Sequence, residues 1–386
     1  MLFKGLALAA LAGAAFAQDE PTPSTPDLVT LLANQTELSN LTQFLGMFQD
    51  FTTQLGSLEN ITLLAPNDDA FAEFLNSSAG AALAGGDEEL ITALFSYHVI
   101  NGTYANLSEA QFVPTLLAPG QFANVSGGQR LGVYDNDGDL EIVSGLLSVA
   151  NVTGEPLNFT GGVVHIIDSV LMVPENVSET ATELNLTAAA GALVNLTLAD
   201  TVDTAEDITV FVPNNDAFAA IGSALPNLTT EELTSILTYH VVPGVVGYSN
   251  LLENGTQLPT LEGTNVTITV TEDDEVYVNG ARVVIPDVLV ANGVVHVIDN
   301  VLNPQNATAT APEGSESGSP AFDGASSASD VPFTSGARQP TGTNTPTATA
   351  PQATADATGS EGAAPIQTAA IGAAALFGGA ALVLNM

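Results

Sequence analysis

The 386-residue sequence contains no cysteine and no tryptophan. The missing thiols exclude a disulfide framework, a thiolate nucleophile and a thiolate metal site. Basic residues are also scarce, with 4 lysines and arginines against 43 aspartates and glutamates, which gives a formal net charge of −39. Such a surface repels phosphate backbones and anionic headgroups, so we expect neither nucleic-acid binding nor electrostatic docking on a membrane.

Both ends of the chain have the composition of targeting segments. Residues 1–17 combine one basic residue, an apolar stretch and a final A-F-A, which is typical of a secretory signal peptide. Residues 360–386 end in an uncharged apolar tail that follows small residues, which is typical of a GPI-attachment signal, with Ser360 as the expected attachment residue. The alternatives are a short membrane anchor at the start and a retained transmembrane helix at the end. We expect a cell-surface protein held in the plasma membrane by a lipid anchor or transferred to the cell wall.

Asn-x-Ser/Thr sequons are abundant, and in an exported chain they predict a heavily N-glycosylated surface. Each sequon alone is a weak match, and a buried one, with Asn195 as a candidate, would stay unmodified. The expected N-glycosylation sites are Asn34, Asn40, Asn60, Asn76, Asn101, Asn106, Asn124, Asn151, Asn158, Asn176, Asn185, Asn195, Asn227, Asn254, Asn265 and Asn306.

Three landmarks occur twice, in the same order. ITLLAPNDDAF, from Ile61, is matched by ITVFVPNNDAF, from Ile208; SYHVI is matched by TYHVV; and GVVHIIDSVL is matched by GVVHVIDNVL. Because this repeat is far longer than a solenoid unit, each copy should bury its own core. We therefore predict two homologous domains, at 24–175 and 176–304.

The composition changes after the second copy. Residues 305–359 are rich in Ala, Thr, Ser, Pro and Gly and cannot bury enough apolar surface to fold. Serine and threonine alternating with proline predict a disordered, O-glycosylated stalk.

Each copy begins with helices and ends with strands, which predicts an α+β fold. The apolar run at ITLLA ends at a proline, and Asn67 or Asp68 can then cap a helix. A second helix is expected to begin near Asp87 in the first copy and at Thr229 in the second, where Glu232 completes a capping box. RLGVYDNDGDLEIVSG and VTITVTEDDEVYVNGARVV are typical of hairpins.

Two of the four histidines continue an apolar helical stripe. His98 follows Ile91 by seven residues, and His240 follows Leu233 by the same interval, so both imidazoles should face the core. A buried imidazole needs a partner for its nitrogens, and we expect the backbone or a carboxylate to supply it. The neighbouring tyrosines should lie on the flank of the stripe, open to solvent.

The other two histidines, His165 and His296, lie in apolar strands and are expected to be buried. Together with Asp168 and Asp299 they form an expected structural motif. Two histidines and an acid per copy are also the residue types of a zinc or hydrolytic site. The sequence contains no HExxH, HxH or GxSxG pattern, so we assign no catalytic residue, no metal and no cofactor.

Taken together, the three paired landmarks resemble those of the fasciclin domain, and the resemblance covers residues 24–304. It implies two tandem fasciclin-like domains, each a wedge of β-sheets with flanking helices. It also implies extracellular adhesion without enzymatic activity.

The resemblance further implies which residues bind. The family's tyrosine–histidine motif and its Asp-Ile motif have been linked to adhesion, so the candidate ligand-binding residues are Tyr97, His98, Tyr239, His240, Asp287 and Val288. The first copy reads Asn151-Val152 in the region of the Asp-Ile motif, which makes the second copy the better candidate.

Adhesion to a wall or matrix component, or to a surface receptor, is therefore the expected function. The alternatives are a structural wall glycoprotein without a specific ligand and, third, a metal-dependent hydrolase.

Overall fold

The computed structural model describes residues 25–107, 111–136, 138–308, 310, 318, 320–334 and 338. The expected signal peptide and GPI signal lie outside these residues, as does most of the expected stalk. In the ranges just given, none of the helices combines the length and the apolar character needed to cross a bilayer.

The first domain contains six helices and seven strands within its described residues. The helices are α1 Leu28–Ala33, α2 Ser39–Leu45, α3 Gln49–Ser57, α4 Asp68–Leu75, α5 Ser78–Ala84 and α6 Glu88–Tyr97. The strands are β1 Ile61–Pro66, β2 Val99–Asn101, β3 Phe112–Pro114, β4 Arg130–Asn136, β5 Asp139–Val143, β6 Val149–Phe159 and β7 Gly162–Ile167.

The second domain repeats this order without a counterpart of α5. Its helices are α7 Val177–Glu183, α8 Thr187–Asn195, α9 Ala199–Thr204, α10 Asn215–Ala220 and α11 Thr230–Tyr239. Its strands are β8 Ile208–Pro213, β9 Val241–Val242, β10 Gln257–Pro259, β11 Asn265–Val270, β12 Val276–Val278, β13 Ala281–Val290 and β14 Gly293–Ile298.

The same sheet is built twice. Its strand order is β2-β1-β7-β6-β5-β4-β3 in the first domain and β10-β11-β12-β13-β14-β8-β9 in the second. In each sheet the first and last landmarks form the parallel pair, β1 with β7 and β8 with β14. The glycine that opens the last strand is required there, because a Cβ on Gly162 or Gly293 would lie 1.9 Å from the carbonyl oxygen of Ile61 or Ile208.

The expected wedge is one continuous sheet bent at a long strand. A bulge between Thr153 and Leu157 interrupts β6, which pairs with β5 at its start and with β7 on both sides of the bulge. Strand β13 is irregular in the matching stretch. Bulges bend a strand and increase its twist, so the two halves of each sheet face different directions.

The expected helix starts and hairpins are confirmed. The side chains of Asn67 and Asn214 each accept a backbone N–H three residues ahead, and Asp87 caps α6. Thr229 and Glu232 form both bonds of a capping box. The two hairpins are β4–β5 and β11–β12.

Part of the expected stalk is packed against the second domain. Phe333 lies 6.0 Å from Phe218 between ring centroids, and the Ala328 N–H donates to the Ala219 carbonyl at 2.9 Å. Other apolar side chains of 320–334, such as Val331, join the same core. For these residues the structure differs from the expected unpacked stalk, because the few large apolar side chains in the segment find a surface to cover. We call residues 320–334 the strap.

Candidate functional site

The histidine of the first tyrosine–histidine pair ends helix α6 and joins two landmarks. Its Nδ1 lies 2.7 Å from the Leu94 carbonyl, and its Nε2 accepts the Leu171 N–H at 3.0 Å. Since Nε2 accepts, the proton is on Nδ1, and this nitrogen donates to Leu94. His98 is buried and ties the end of the helix to the segment after β7.

His240 repeats the arrangement in the second domain. Its Nδ1 lies 2.7 Å from the Ile236 carbonyl, and its Nε2 accepts the Leu302 N–H at 2.9 Å. Burial lowers the pKa of both His98 and His240 to about 4, so the imidazoles are neutral at physiological pH. With both nitrogens bonded to the backbone, neither ring keeps a lone pair for a metal or for proton transfer.

The tyrosines of both pairs are fully buried, so the expectation that they are open to solvent is wrong. The Tyr97 hydroxyl donates to the Arg130 carbonyl at 3.1 Å, and the Tyr239 hydroxyl donates to the Asn265 carbonyl at 2.9 Å. Each tyrosine therefore fastens its helix to the first residue of a strand. The expected binding edge is not exposed at either pair.

The strand histidines belong to a network that the sequence reasoning missed. His165 Nε2 donates to the Tyr104 carbonyl at 2.8 Å, and the Tyr104 N–H donates to the Thr62 hydroxyl at 2.8 Å. In the second domain His296 Nε2 donates to the Gly247 carbonyl at 2.8 Å, and the Gly247 N–H donates to Thr209 at 2.7 Å. The only sequence signal is the threonine shared by ITLLAP and ITVFVP.

The two aspartates of the last landmark, GVVHIID and GVVHVID, bind the long bulged strands. The Asp168 carboxylate accepts the backbone and side-chain N–H groups of Asn151 at 2.7 and 2.8 Å. The Asp299 carboxylate accepts the Arg282 N–H at 2.8 Å. In both domains the aspartate fixes the start of the neighbouring long strand, and Asp299 also accepts the Gly318 N–H at 2.8 Å.

The Asp-Val pair expected to bind a partner is also buried. Asp287 is 4% exposed and Val288 is 0% exposed. The Asp287 carboxylate accepts the backbone N–H of Ser249 at 2.8 Å and also its hydroxyl, while the Asp287 N–H donates to His296 Nδ1 at 3.3 Å. The motif therefore has no open face here, and its adhesive role stays a prediction.

The strand register also corrects the position of this motif in the first domain. Leu157 pairs with Val164, and Val288 pairs with Val295, two residues after the matching glycines. Pro156, and not Asn151, is therefore the counterpart of Asp287. The sequence comparison missed this because neither residue type nor flanking sequence is shared there.

Backbone and side-chain hydrogen bonds join the two domains. Gln129 is fully buried, and its Nε2 donates to the Val290 carbonyl at 2.8 Å. The Asn124 N–H donates to the Ala291 carbonyl at 2.6 Å. Both acceptors lie at the β13–β14 turn, so the second domain presents this turn to the first.

An aromatic contact completes the interface. Phe112 stacks on Tyr248 with ring centroids 4.3 Å apart, and the Arg130 guanidinium carbon lies 5.8 Å from the centre of the Tyr248 ring. Burial, and after it the charge of Asp287, raises the pKa of the Tyr134 phenol. Val288 belongs to one buried apolar cluster with Val143 and Leu147 of the first domain, which explains why this second-domain motif is covered.

The sequons, by contrast, face outward. Twelve of the sixteen asparagines are exposed, Asn195 among them, and four are half-buried. The half-buried ones are Asn40, Asn124, Asn176 and Asn306. Their occupancy stays a prediction.

The sequence pattern of the fasciclin domain matches residues 36–174 and 184–304. The chain belongs to the fasciclin family, whose members are generally not enzymes. Among the residues described, no three histidines, aspartates or glutamates are grouped so as to hold a metal ion.

Several relatives are similar over most of this chain. A fasciclin-like arabinogalactan protein of Arthroderma benhamiae is 34% identical, over 80% of this chain and 74% of its own. Fasciclin-like arabinogalactan protein elcF of Phaeosphaeria nodorum is 32% identical, over 72% of this chain and 89% of its own. These similarities imply passage through the secretory pathway to the cell surface.

One solved structure, the FAS1 domain pair of the insect cell adhesion molecule fasciclin I, covers 69% of this chain and 98% of its own at 21% identity. Its TM-score is 0.34, a value that supports no closer comparison.

Proposed function

We propose that this protein is an adhesive glycoprotein of the cell surface that binds a wall or matrix component, or a surface receptor, through its fasciclin pair. The observation that supports the proposal most is the family itself, in which adhesion is the associated role. Every buried histidine is bonded within its own domain, so the repeated landmarks serve the scaffold, and we place the ligand on the outer surface.

Exposed apolar side chains are the first places to look for that surface. Met47 is 65% exposed just after α2, and Val194 is 63% exposed near the end of α8, the matching helix of the second domain. A cluster of exposed large apolar side chains usually marks a binding surface, whereas single exposed apolar side chains are common. We therefore treat the pair as sites for mutation and not as a defined interface.

A structural wall glycoprotein without a specific ligand is the second candidate. It is favoured by the twelve exposed sequons, because glycans on all of them would cover much of the surface. In that case hydration and spacing, and not recognition, would be the function.

The secreted chain can be tested for binding to isolated wall material and to intact cells, before and after enzymatic removal of N-glycans. Adhesion by the domains predicts saturable binding that survives glycan removal and is weakened by Met47→Ser or Val194→Ser. Val284→Ser, at another exposed apolar side chain (41%), serves as the matched control. Binding that is lost with the glycans, or that never saturates, would favour the structural role.

We also propose a GPI anchor at Ser360. Release of the protein from intact cells by a phosphatidylinositol-specific phospholipase is the expected result, and retention in the membrane after this treatment would contradict the anchor.

A further inference from the structure

A cavity of about 730 Å³ lies between the two domains. Its volume is in the range of pockets that hold small molecules, and domain interfaces are where such pockets commonly occur. One wall belongs to the first domain and the other to the second, and the segment Leu171–Glu175 that links them forms part of the lining.

The first-domain wall is apolar. It is formed by Phe74 at the end of α4, by Leu90 and Leu94 on α6, and by Phe122 from the loop before β4. Leu94 is buried, and the other three are half-buried, so part of each side chain faces the cavity. A flat or branched apolar body would remove this surface from water.

All of the charged residues of the lining are acidic, and they lie at the opposite end. Glu175, Glu179 and Asp203 line it, and none of the lining residues is a lysine, arginine or histidine. Burial, and then the charges of Glu179 and Glu183, raises the pKa of Glu175. Asp203 already accepts two hydrogen bonds from Ser178, which leaves the two glutamates for a ligand.

A buried side chain of the same wall has an unused acceptor. Asn292 is 0% exposed, and its Nδ2 donates to the Val202 and Ala205 carbonyls at 2.7 Å each. Its Oδ1 has no hydrogen-bond partner among the described residues. An orphaned buried acceptor is uncommon and calls for a donor.

We propose that this cavity binds a small amphipathic cation, whose apolar body lies against Phe122 and Leu90 and whose ammonium or guanidinium group donates to Glu175 and Glu179. An ammonium has donors and no acceptor, which complements the carboxylates at this end of the cavity. This goes beyond the adhesive role, because the ligand occupies the space between the domains and not their outer surface.

Three dansyl compounds test the proposal with the full secreted chain. Monodansylcadaverine carries an ammonium, its N-acetyl derivative is neutral, and dansylglycine is anionic, while all three share one fluorophore. We expect saturable one-to-one binding of the cation, at least roughly tenfold tighter than binding of the neutral analogue, and no binding of the anion. Equal affinity for all three, or no saturable binding of the cation, would overturn the proposal.

Charge-neutral variants locate the site. Glu175→Gln with Glu179→Gln should weaken binding of the cation roughly tenfold. Glu155→Gln, an exposed site on β6, is the matched control and should change nothing. Unchanged affinity in the double variant, with normal melting, would also overturn the proposal.

A labelling experiment covers the case in which the double variant fails to fold. The chain has no cysteine, so Gln121→Cys at the cavity edge provides a unique thiol. Saturating monodansylcadaverine should slow its reaction with a maleimide and leave Glu155→Cys unaffected. Equal rates with and without the compound would contradict binding in the cavity.

An N-glycan is the competing occupant, because Asn124 and Asn176 both line the cavity. Binding that is present before glycan removal supports the proposal. Binding that appears only after removal would mean that a glycan fills the space in the native protein, and the proposal would then be wrong.

Discussion

The two domains have the same sheet and the same histidine contacts, but they fill their helical layers differently. In the first domain Phe44 on α2 reaches Phe71 and Phe95, with ring centroids 5.4 and 5.6 Å apart. In the second domain the partner of Phe218 is Phe333, which comes from the strap at 6.0 Å. The first domain thus completes its core with residues of its own repeat, whereas the second domain uses a segment that follows the repeat.

A shared hydrogen bond shows how the two helices correspond. The Asn40 N–H of α2 donates to Asp68 at 2.7 Å, and the Ala188 N–H of α8 donates to Asn215 at 3.0 Å. When α2 and α8 are aligned by this hydrogen bond, an alanine of α8 occupies the position of Phe44. The alanine- and glycine-rich helix leaves a groove, and the strap fills it. Duplicated domains can therefore diverge in what covers them while their sheets stay alike.

The largest expected effect tests what the domains share. His98→Ala and His240→Ala should each lower the free energy of unfolding of its own domain by about 4 kcal/mol, because each leaves a cavity and an unpaired buried N–H. Scanning calorimetry of both variants measures this. Thr92→Ala, on the exposed side of α6, is the control. Normal melting together with lost adhesion would show that the packing assignment is wrong.

Acidification should weaken both domains through the same histidines. The pKa of each is about 4 in the folded state and about 6.5 when unfolded, so the unfolded chain takes up protons first. The stability that each neutral histidine contributes is complete above pH 6.5 and is lost as the pH falls towards 4. The loss amounts to about 3 kcal/mol of unfolding free energy for each histidine. Denaturant titrations at pH 7 and pH 4.5 measure the loss, and the His98→Ala variant should lose less than the parent chain.

The strap should matter to one domain only. Phe333→Ala is expected to lower the free energy of unfolding of the second domain by about 2 kcal/mol, since the side chain is half-buried, and to leave the first domain unchanged. Calorimetry that resolves the two transitions measures this. Asp330→Ala, an exposed strap residue, is the control.

Gly191→Ala sharpens the same comparison. A Cβ there would lie 2.0 Å from the Phe333 carbonyl oxygen, so the substitution should destabilise the full chain. In a chain that ends after residue 308 it should instead stabilise by up to about 1 kcal/mol, because alanine favours a helix over glycine. A stability change in the same direction in both chains would mean that the strap does not lie on α8.

The smallest effect concerns the contact between the domains. Gln129→Ala leaves the Val290 carbonyl without its donor and should cost about 1 kcal/mol. It should also move the two melting transitions further apart. Gln121→Ala, an exposed residue of the same loop region, should not do so.

Local features were predictable from the sequence, whereas features made by distant chain segments were not. Asn67 and Thr229 cap their helices through residues three positions away, so a short pattern is sufficient. Tyr97 is buried by a strand that follows it by more than thirty residues, and helical spacing cannot reveal this. Asp287 is covered by the other domain. Phe333 was missed because a compositional average over the whole stalk hides one aromatic residue.

The parallel pairing at the centre of each sheet also sets an order for biosynthesis. Ile61–Pro66 can pair with Val99–Asn101 early, but its other edge has no partner until the strand that begins at Gly162 has been made, so we expect the intervening sequons to be accessible before the sheet closes. We expect oligosaccharide transfer to Asn124 to be decided during that interval, before the finished surface exists. Mass spectrometry of Asn124 in chains translated faster or slower past Gly162 would test whether timing, rather than final accessibility, determines which asparagines carry sugar.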